Sequence, residues 1–347
     1  MKKVNVVSLG KLQVDEAPMP VPGAKQVIVR VMAAGVCGSD IPRAFVDGPH
    51  FYPIVLSHEF SGQVVSLGDG VDEHWLNQKV TVFPLRPCNK CQSCLQADYV
   101  QCESYSYYGS REDGGFSEYL AVDEFNLVPI PEHVTYSSAA MLEPAAVALH
   151  AVRKSGLSLN ENVAIFGAGP IGLLVANWAK IAGAGQIVMF DVDDAKIEFC
   201  KKLGFENAFN IREQHPNECL ESLNLKGMDV CIEASGSTIS YENSLYCCAK
   251  GGRVVLLGNP HSDMTATQRT YDLFMRKECS MVGVFNSIYN KYPRDEWTDT
   301  VLAIADNKLF VDKLITNKVS IDGVPKLMGE MYRKEGFIVK GMMVIED

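Results

Sequence analysis

The chain has 347 residues, 47% of them hydrophobic and 21% charged, a composition that excludes a disordered or fibrous protein. Its 32 basic and 42 acidic residues leave a net charge of −10, which argues against nucleic acid or an anionic membrane as partner. An anionic small substrate would need a local basic pocket. The length predicts two domains of about 150 residues each.

The N-terminal stretch MKKVNVVSLGKLQVDE lacks the uninterrupted apolar core of a secretory signal. Eleven cysteines without such a signal predict reduced thiols and metal ligands, and hence a cytoplasmic protein. From Gln26 to Val36 the alternation QVIVRVMAAGV predicts a strand, and Phe60 to Leu67 and Lys79 to Phe83 predict two more, all punctuated by turn residues. Helical periodicity is nearly absent until Ser137, after which EPAAVALHAVRKSG sets Pro144 near a helix start and Gly156 at its end.

From there strands and helices alternate. The strands are Val163 to Phe166, Gln186 to Asp191, Met228 to Glu233, Arg253 to Leu257 and Ser280 to Phe285; the helices include Ala195 to Leu203 and Tyr241 to Lys250. Strands apolar on both faces predict an α/β fold, a doubly wound parallel sheet covered by helices. The tail after Thr298, with a helix, a helix-like stretch from Pro325 to Arg333 and a closing strand KGMMVIE, breaks this alternation and is expected to return to the first domain.

The segment VAIFGAGPIGLLVANWAKIA reads as strand, glycine turn and helix. Gly167 allows the tight turn, Gly169 a close approach of backbone to a pyrophosphate, and Gly172 close packing of the helix, whose N-terminus faces the anion. Asp191, ending the next strand, is suited to ribose hydroxyls, and no arginine follows in VDDAK to receive a 2′-phosphate, so NAD is expected rather than NADP. The cofactor-facing set is Gly167, Gly169, Pro170, Ile171, Gly172, Asp191 and Lys196; the competing reading of Asp191 is a helix N-cap.

Cys88, Cys91, Cys94 and Cys102, spaced C-x2-C-x2-C-x7-C, suit a closed tetrahedral structural zinc, with an iron–sulfur cluster or packed free thiols as alternatives. A sparser group, Cys37, His58, Glu59 and Glu143, could hold a second zinc with a position left open for an alcohol oxygen.

At GVCGSD, HEFSG, the four-cysteine lobe, DGGFSEY, EPAAVALHA and GAGPIG the chain resembles the zinc-dependent medium-chain dehydrogenases, over nearly its whole length. The resemblance implies a GroES-like, β-rich catalytic domain built from residues 1–140 and 286–347, with a Rossmann NAD-binding domain, residues 141–285, inserted between. It implies that Cys37, His58 and Glu143 reach the catalytic zinc, Glu59 being a ligand or an alternate one. Glu143-Pro144 is similar to the polyol (sorbitol) branch, and CGSDIPR, GPHFYPI and YGSREDGGFSEY to members acting on sugar alcohol phosphates. Ser57 stands where the family usually has glycine.

The implied reaction is hydride transfer from a secondary hydroxyl of a sugar alcohol phosphate to NAD, giving a keto sugar phosphate. Ser39 is either a proton relay or a helix cap. Arg43, His50 and Arg111 are candidates for holding a phosphate, against a reading as surface salt bridges. A dehydrogenase of free polyols or threonine, and a non-catalytic NAD-binding protein, are the alternatives. The apolar strand SMVGVF would leave an open sheet edge, which predicts a homodimer or homotetramer.

Overall fold

The computed structural model describes residues 1–290 and 295–345. The chain divides into two compact units, Met1–Glu143 with Ile288–Asp347, and Pro144–Ser287.

The first unit is built on Gln26–Gly35, in which Val27, Ile28, Val29, Val31, Met32, Ala33 and Ala34 are all buried. Such a strand must lie mid-sheet, because both of its faces and both of its edges need cover. Glu59–Leu67 runs antiparallel beside it, with Gly35 opposite Glu59 and Ala34 opposite Phe60. Tyr119–Asp123 and Lys340–Val344 also pair with it, the latter setting Met342 opposite Gly35. The seven-stranded sheet runs Leu127–Pro129, Lys79–Val82, Glu59–Leu67, Gln26–Gly35, Lys340–Val344, Ile315–Val319, with Tyr119–Asp123 on Gln26–Gly35 as well. Phe60, Val64, Val80, Val82, Phe116, Met328 and Met343 share its main core.

The structure refines the sequence reading at three points. Ile315–Val319 is a strand that the sequence hides, because ITNKV is polar and only alternate residues are half-buried. The closing strand ends at Val344 rather than Glu346, which lies outside the described residues. Helix also appears before Ser137, in the short Asp40–Phe45 and in Tyr136–Ala140, which Thr135 caps by accepting from the Ser138 N–H.

The second unit is a six-stranded sheet in the order Ala208–Asn210, Ile187–Asp191, Val163–Phe166, Met228–Glu233, Cys248–Leu256, Ser280–Gly283, every pair parallel. Val163, Ala164, Ile165 and Phe166 are buried, as a central parallel strand demands. The strand order reverses beside Val163–Phe166, and ligands of such sheets bind outside the strand C-termini at that switch. The helix expected to reach Lys250 is Thr238–Cys247, because buried Cys248 already pairs with Met228 in the sheet. Ser280–Gly283 forms an edge, with Met281 and Phe285 exposed. Among the described residues no helix is long and apolar enough to cross a membrane.

Gly167, at φ +111°, turns the chain into the helix Pro170–Ile181, which starts with Gly169 as N-cap and Pro170 in its first turn. A Cβ at Gly172 would fall on the carbonyl oxygen of Gly167, whereas one at Gly169 would meet open space. Gly172→Ala should therefore lower unfolding stability by about 1–3 kcal/mol through overpacking, and Gly169→Ala by less; urea titration of both variants checks the order.

Candidate active site

The pairing of Gly35 with Glu59 sets the end of one central strand beside the start of the other, so Cys37 and His58 emerge next to each other. Cys37, His58 and Glu59 each offer a ligand atom, and these atoms lie within 4.8 Å of one another. His58 and Glu59 are buried, and among the described residues His58 Nδ1 has no hydrogen-bond partner, with Asp40 Oδ1 3.8 Å away. Burial, then the Glu59 and Asp40 carboxylates, push the Cys37 thiol up to about 12. A thiolate there needs a cation beside it, so the donor set fits a zinc ion.

Glu143 stands outside that three-residue group. Its carboxylate accepts from the Tyr107 hydroxyl at 3.3 Å, and burial pushes it up to about 8 against the opposing pull of His58. Tyr107 lies edge-on to the His58 ring at 5.6 Å. Ser57 is fully buried at φ +74°, the left-handed region in which glycine is cheapest, and its hydroxyl donates to the Gly35 carbonyl at 2.9 Å. That bond ties the His58 loop to the strand leading into Cys37.

Ser39 does not cap the helix that follows it: no cap hydrogen bond forms from its side chain. Its hydroxyl instead donates to Cys37 Sγ at 3.3 Å and accepts from Arg43 Nη1 at 2.7 Å. Arg43 also faces Asp40 Oδ1 at 3.7 Å. The other two basic candidates are less engaged with this group. Arg111 is exposed, stacks over Tyr105 at 4.3 Å and donates to the Tyr105 carbonyl, and His50 is exposed.

The four-cysteine lobe also closes on itself. Cys88, Cys91, Cys94 and Cys102 bring their sulfurs within 4.8 Å of one another, and none of the eleven cysteines forms a disulfide. Backbone N–H groups of Lys90 and Cys91 pull the Cys88 thiol down to about 6, whereas burial pushes Cys94 up to about 12. Four convergent sulfurs with N–H donors among them suit a closed zinc shell.

In the second unit Asp191 turns out to serve the glycine turn itself. Its carboxylate accepts from the N–H groups of Ala168, Val192 and Asp193, and Lys196 Nζ lies 3.5 Å from it. The helix N-cap is Asp193, which accepts from the Ala195 N–H. Ile171 is half-buried beside Pro170.

Three side chains escaped the sequence reading. Tyr107 is one. Glu233, buried at a neighbouring strand end, accepts from Ser235 N–H and hydroxyl and from Gly236 N–H, as Asp191 does for its own turn. The third is Lys340, first residue of the last strand, whose Nζ forms a fully buried ion pair with Glu59 Oε2. Burial opposes the Lys340 charge, but Glu59, Cys37 and Glu143 outweigh it and raise its pKa above the ordinary lysine value.

A Cβ on Gly35 would collide with Glu59 Oε2, so the pair occupies space only glycine leaves. Lys340→Met would strand the Glu59 carboxylate in the interior and should cost about 3–5 kcal/mol in the metal-depleted protein, most of it recovered in Lys340→Met/Glu59→Met. Urea unfolding of the single and double variants measures both.

Comparison with known proteins gives this arrangement its family. The alcohol dehydrogenase GroES-like domain matches residues 23–132 and the zinc-binding dehydrogenase domain residues 170–306. Galactitol 1-phosphate 5-dehydrogenase of Escherichia coli K12 is 32% identical over 96% of this chain and 97% of its own. The crystal structure of galactitol-1-phosphate dehydrogenase from Escherichia coli superposes with a TM-score of 0.93 at 32% identity, covering 99% of this chain and 100% of that one. Sorbitol dehydrogenase of Bacillus subtilis is 27% identical over 99% of this chain and 97% of its own. An alcohol dehydrogenase of Escherichia coli CFT073, solved with NADH, superposes with a TM-score of 0.90 at 25% identity, covering 99% of each chain. With both domains matched and a relative aligned along nearly its whole length, the chain belongs to the zinc-binding medium-chain alcohol dehydrogenases and is an oxidoreductase of that family.

Proposed function

We propose that the chain oxidises a secondary hydroxyl of a sugar alcohol phosphate to a keto sugar phosphate with NAD, in the cytoplasm, using one catalytic and one structural zinc. The observation that carries the reading is the convergence of Cys37, His58 and Glu59 within 4.8 Å at the end of the central strands. These three would hold the catalytic zinc, with Glu143 next to them, and Cys88, Cys91, Cys94 and Cys102 would hold the structural one. Zinc when bound supplies Lewis acidity to the reacting hydroxyl, and NAD accepts the hydride.

The chain's own groups do the rest. Ser39, hydrogen-bonded to Cys37 and Arg43, is the proposed first carrier of the departing proton. Arg43 can only donate, so the onward acceptor is solvent. Gly167, Gly169, Pro170, Ile171 and Gly172 present the helix N-terminus to the pyrophosphate. Asp191 accepts from three backbone N–H groups and, at 3.5 Å, from Lys196, whose place on Oδ2 a ribose hydroxyl would take, and its negative charge disfavours a 2′-phosphate.

A phosphate on the substrate would be held by Arg43, whose guanidinium is anchored one hydrogen bond from Ser39. Arg111 and His50 are the outer candidates. Dehydrogenation of a free polyol is the second reading, favoured by the likeness to sorbitol dehydrogenase and by Asp40 beside Arg43, which offsets part of its charge. The exposed edge Ser280–Gly283 supports pairing with a second copy to give a homodimer, or a homotetramer of such pairs.

Purified protein should contain two zinc ions per chain, form NADH faster from galactitol 1-phosphate than from sorbitol or threonine, and reduce NAD faster than NADP with each of them. Turnover confined to unphosphorylated polyols would transfer the assignment to the second reading. Arg43→Ala should lower the preference for phosphorylated over free polyol at least about tenfold, as loss of a charge-assisted phosphate contact predicts. Comparing kcat/KM for both substrates in the variant and the parent tests this, and unchanged selectivity removes Arg43 from the phosphate site.

A further inference from the structure

The candidate metal site holds two buried carboxylates, and they differ in what grips them. Glu59 brings one oxygen into the group formed with Cys37 and His58 while Lys340 holds its Oε2 through a buried ion pair. Glu143 is outside the group, and its Oε1 accepts from the Tyr107 hydroxyl. Tyr107 comes from a different part of the chain, the two-residue strand Ser106–Tyr107 paired with Leu85–Arg86, and its ring edge rests on His58. One aromatic side chain thus touches both a member of the three-residue group and the carboxylate left out of it.

We propose that Tyr107 is a positioning residue that tethers Glu143 beside the catalytic metal group instead of within it. This rests on the zinc reading of Cys37, His58 and Glu59 given above. A small divalent ion that prefers four ligands would otherwise draw in a second carboxylate at short range. Three protein ligands leave one position for a substrate oxygen; four close the site, as in the cysteine lobe. The hydroxyl of Tyr107 supplies the competing bond. With Oε1 so occupied, Glu143 keeps its second oxygen for a hydroxyl brought by the substrate.

The test is Tyr107→Phe, which removes one oxygen and keeps the ring against His58. Zinc affinity of the catalytic site is read by chelator competition without substrate or cofactor, alongside the visible spectrum of the cobalt(II)-substituted protein. The tether predicts zinc binding about tenfold tighter, an altered cobalt spectrum, a lower kcat and an unchanged melting temperature of the metal-free protein. It further predicts that Tyr107→Phe/Glu143→Gln returns zinc affinity to that of the parent, and that Glu143→Gln alone leaves it within about twofold. Parent-like affinity and spectrum in Tyr107→Phe would overturn the tether, as would loss of zinc in Glu143→Gln alone. Cys37→Ser separates this failure from that of the underlying reading: it should lose one zinc per chain, and retention of both would sink the site and the tether together.

Discussion

Gly35 opposite Glu59 is the contact on which the rest of the first unit depends. Two central strands meet there, and the chain leaves them at Cys37 and arrives at His58, so both side chains point into one buried space. The third strand at this point, Lys340–Val344, brings a lysine from the far end of the sequence. Several acids can ionise together in a low-dielectric interior only with positive charge beside them. Lys340 provides part of it in the fold itself, and the ligand set asks for the remainder from a metal ion. Under the zinc reading proposed above, folding and metal binding draw on the same few atoms.

Glycine and serine at the strand ends are what make the geometry fit. Gly35 has no side chain because Glu59 and Lys340 fill the place where one would be. Ser57 accepts a left-handed backbone, at a cost of order 1 kcal/mol, and returns part of it through the bond to the Gly35 carbonyl. A glycine at that position would relieve the strain but lose the bond, so the serine exchanges local ease for a fixed approach of the His58 loop.

How much of this could be read in advance follows from the range of the interactions. Local patterns were legible: the alternation in QVIVRVMAAG, the cysteine spacing, the glycine turn and the strand ending in Asp191 are each decided within a few residues. What escaped depends on long-range register. Lys340 opens a strand and looks like any solvated lysine until Met342 is found opposite Gly35. Tyr107 sits among the aromatic residues of YSYYGS with nothing to mark it until its hydroxyl meets Glu143. ITNKV carries too little apolar signal to announce a strand, because the sheet edge it occupies asks little of it. Nothing in the sequence signals that backbone N–H groups of Ala168, Val192 and Asp193 converge on the Asp191 carboxylate, because the fold of the turn decides that.

Asp191 and Glu233 show the same solution at two neighbouring strand ends. In a parallel sheet the chain leaves each strand through a turn whose N–H groups have no ladder partner, and a carboxylate at the strand's end collects them. Each acid thereby shapes its turn from within, and the glycine turn keeps other N–H groups, those at the start of Pro170–Ile181, for an outside anion. The two metal groups divide their donors in a related way. The cysteine lobe supplies four convergent sulfurs, two of them, on Cys88 and Cys102, accepting from backbone N–H groups. At Cys37, His58 and Glu59 the supporting bonds come from Ser39 and Lys340, with Glu143 kept at the margin by Tyr107. Side chains can exchange partners where backbone cannot, and that difference agrees with the structural and catalytic roles proposed above for the two groups.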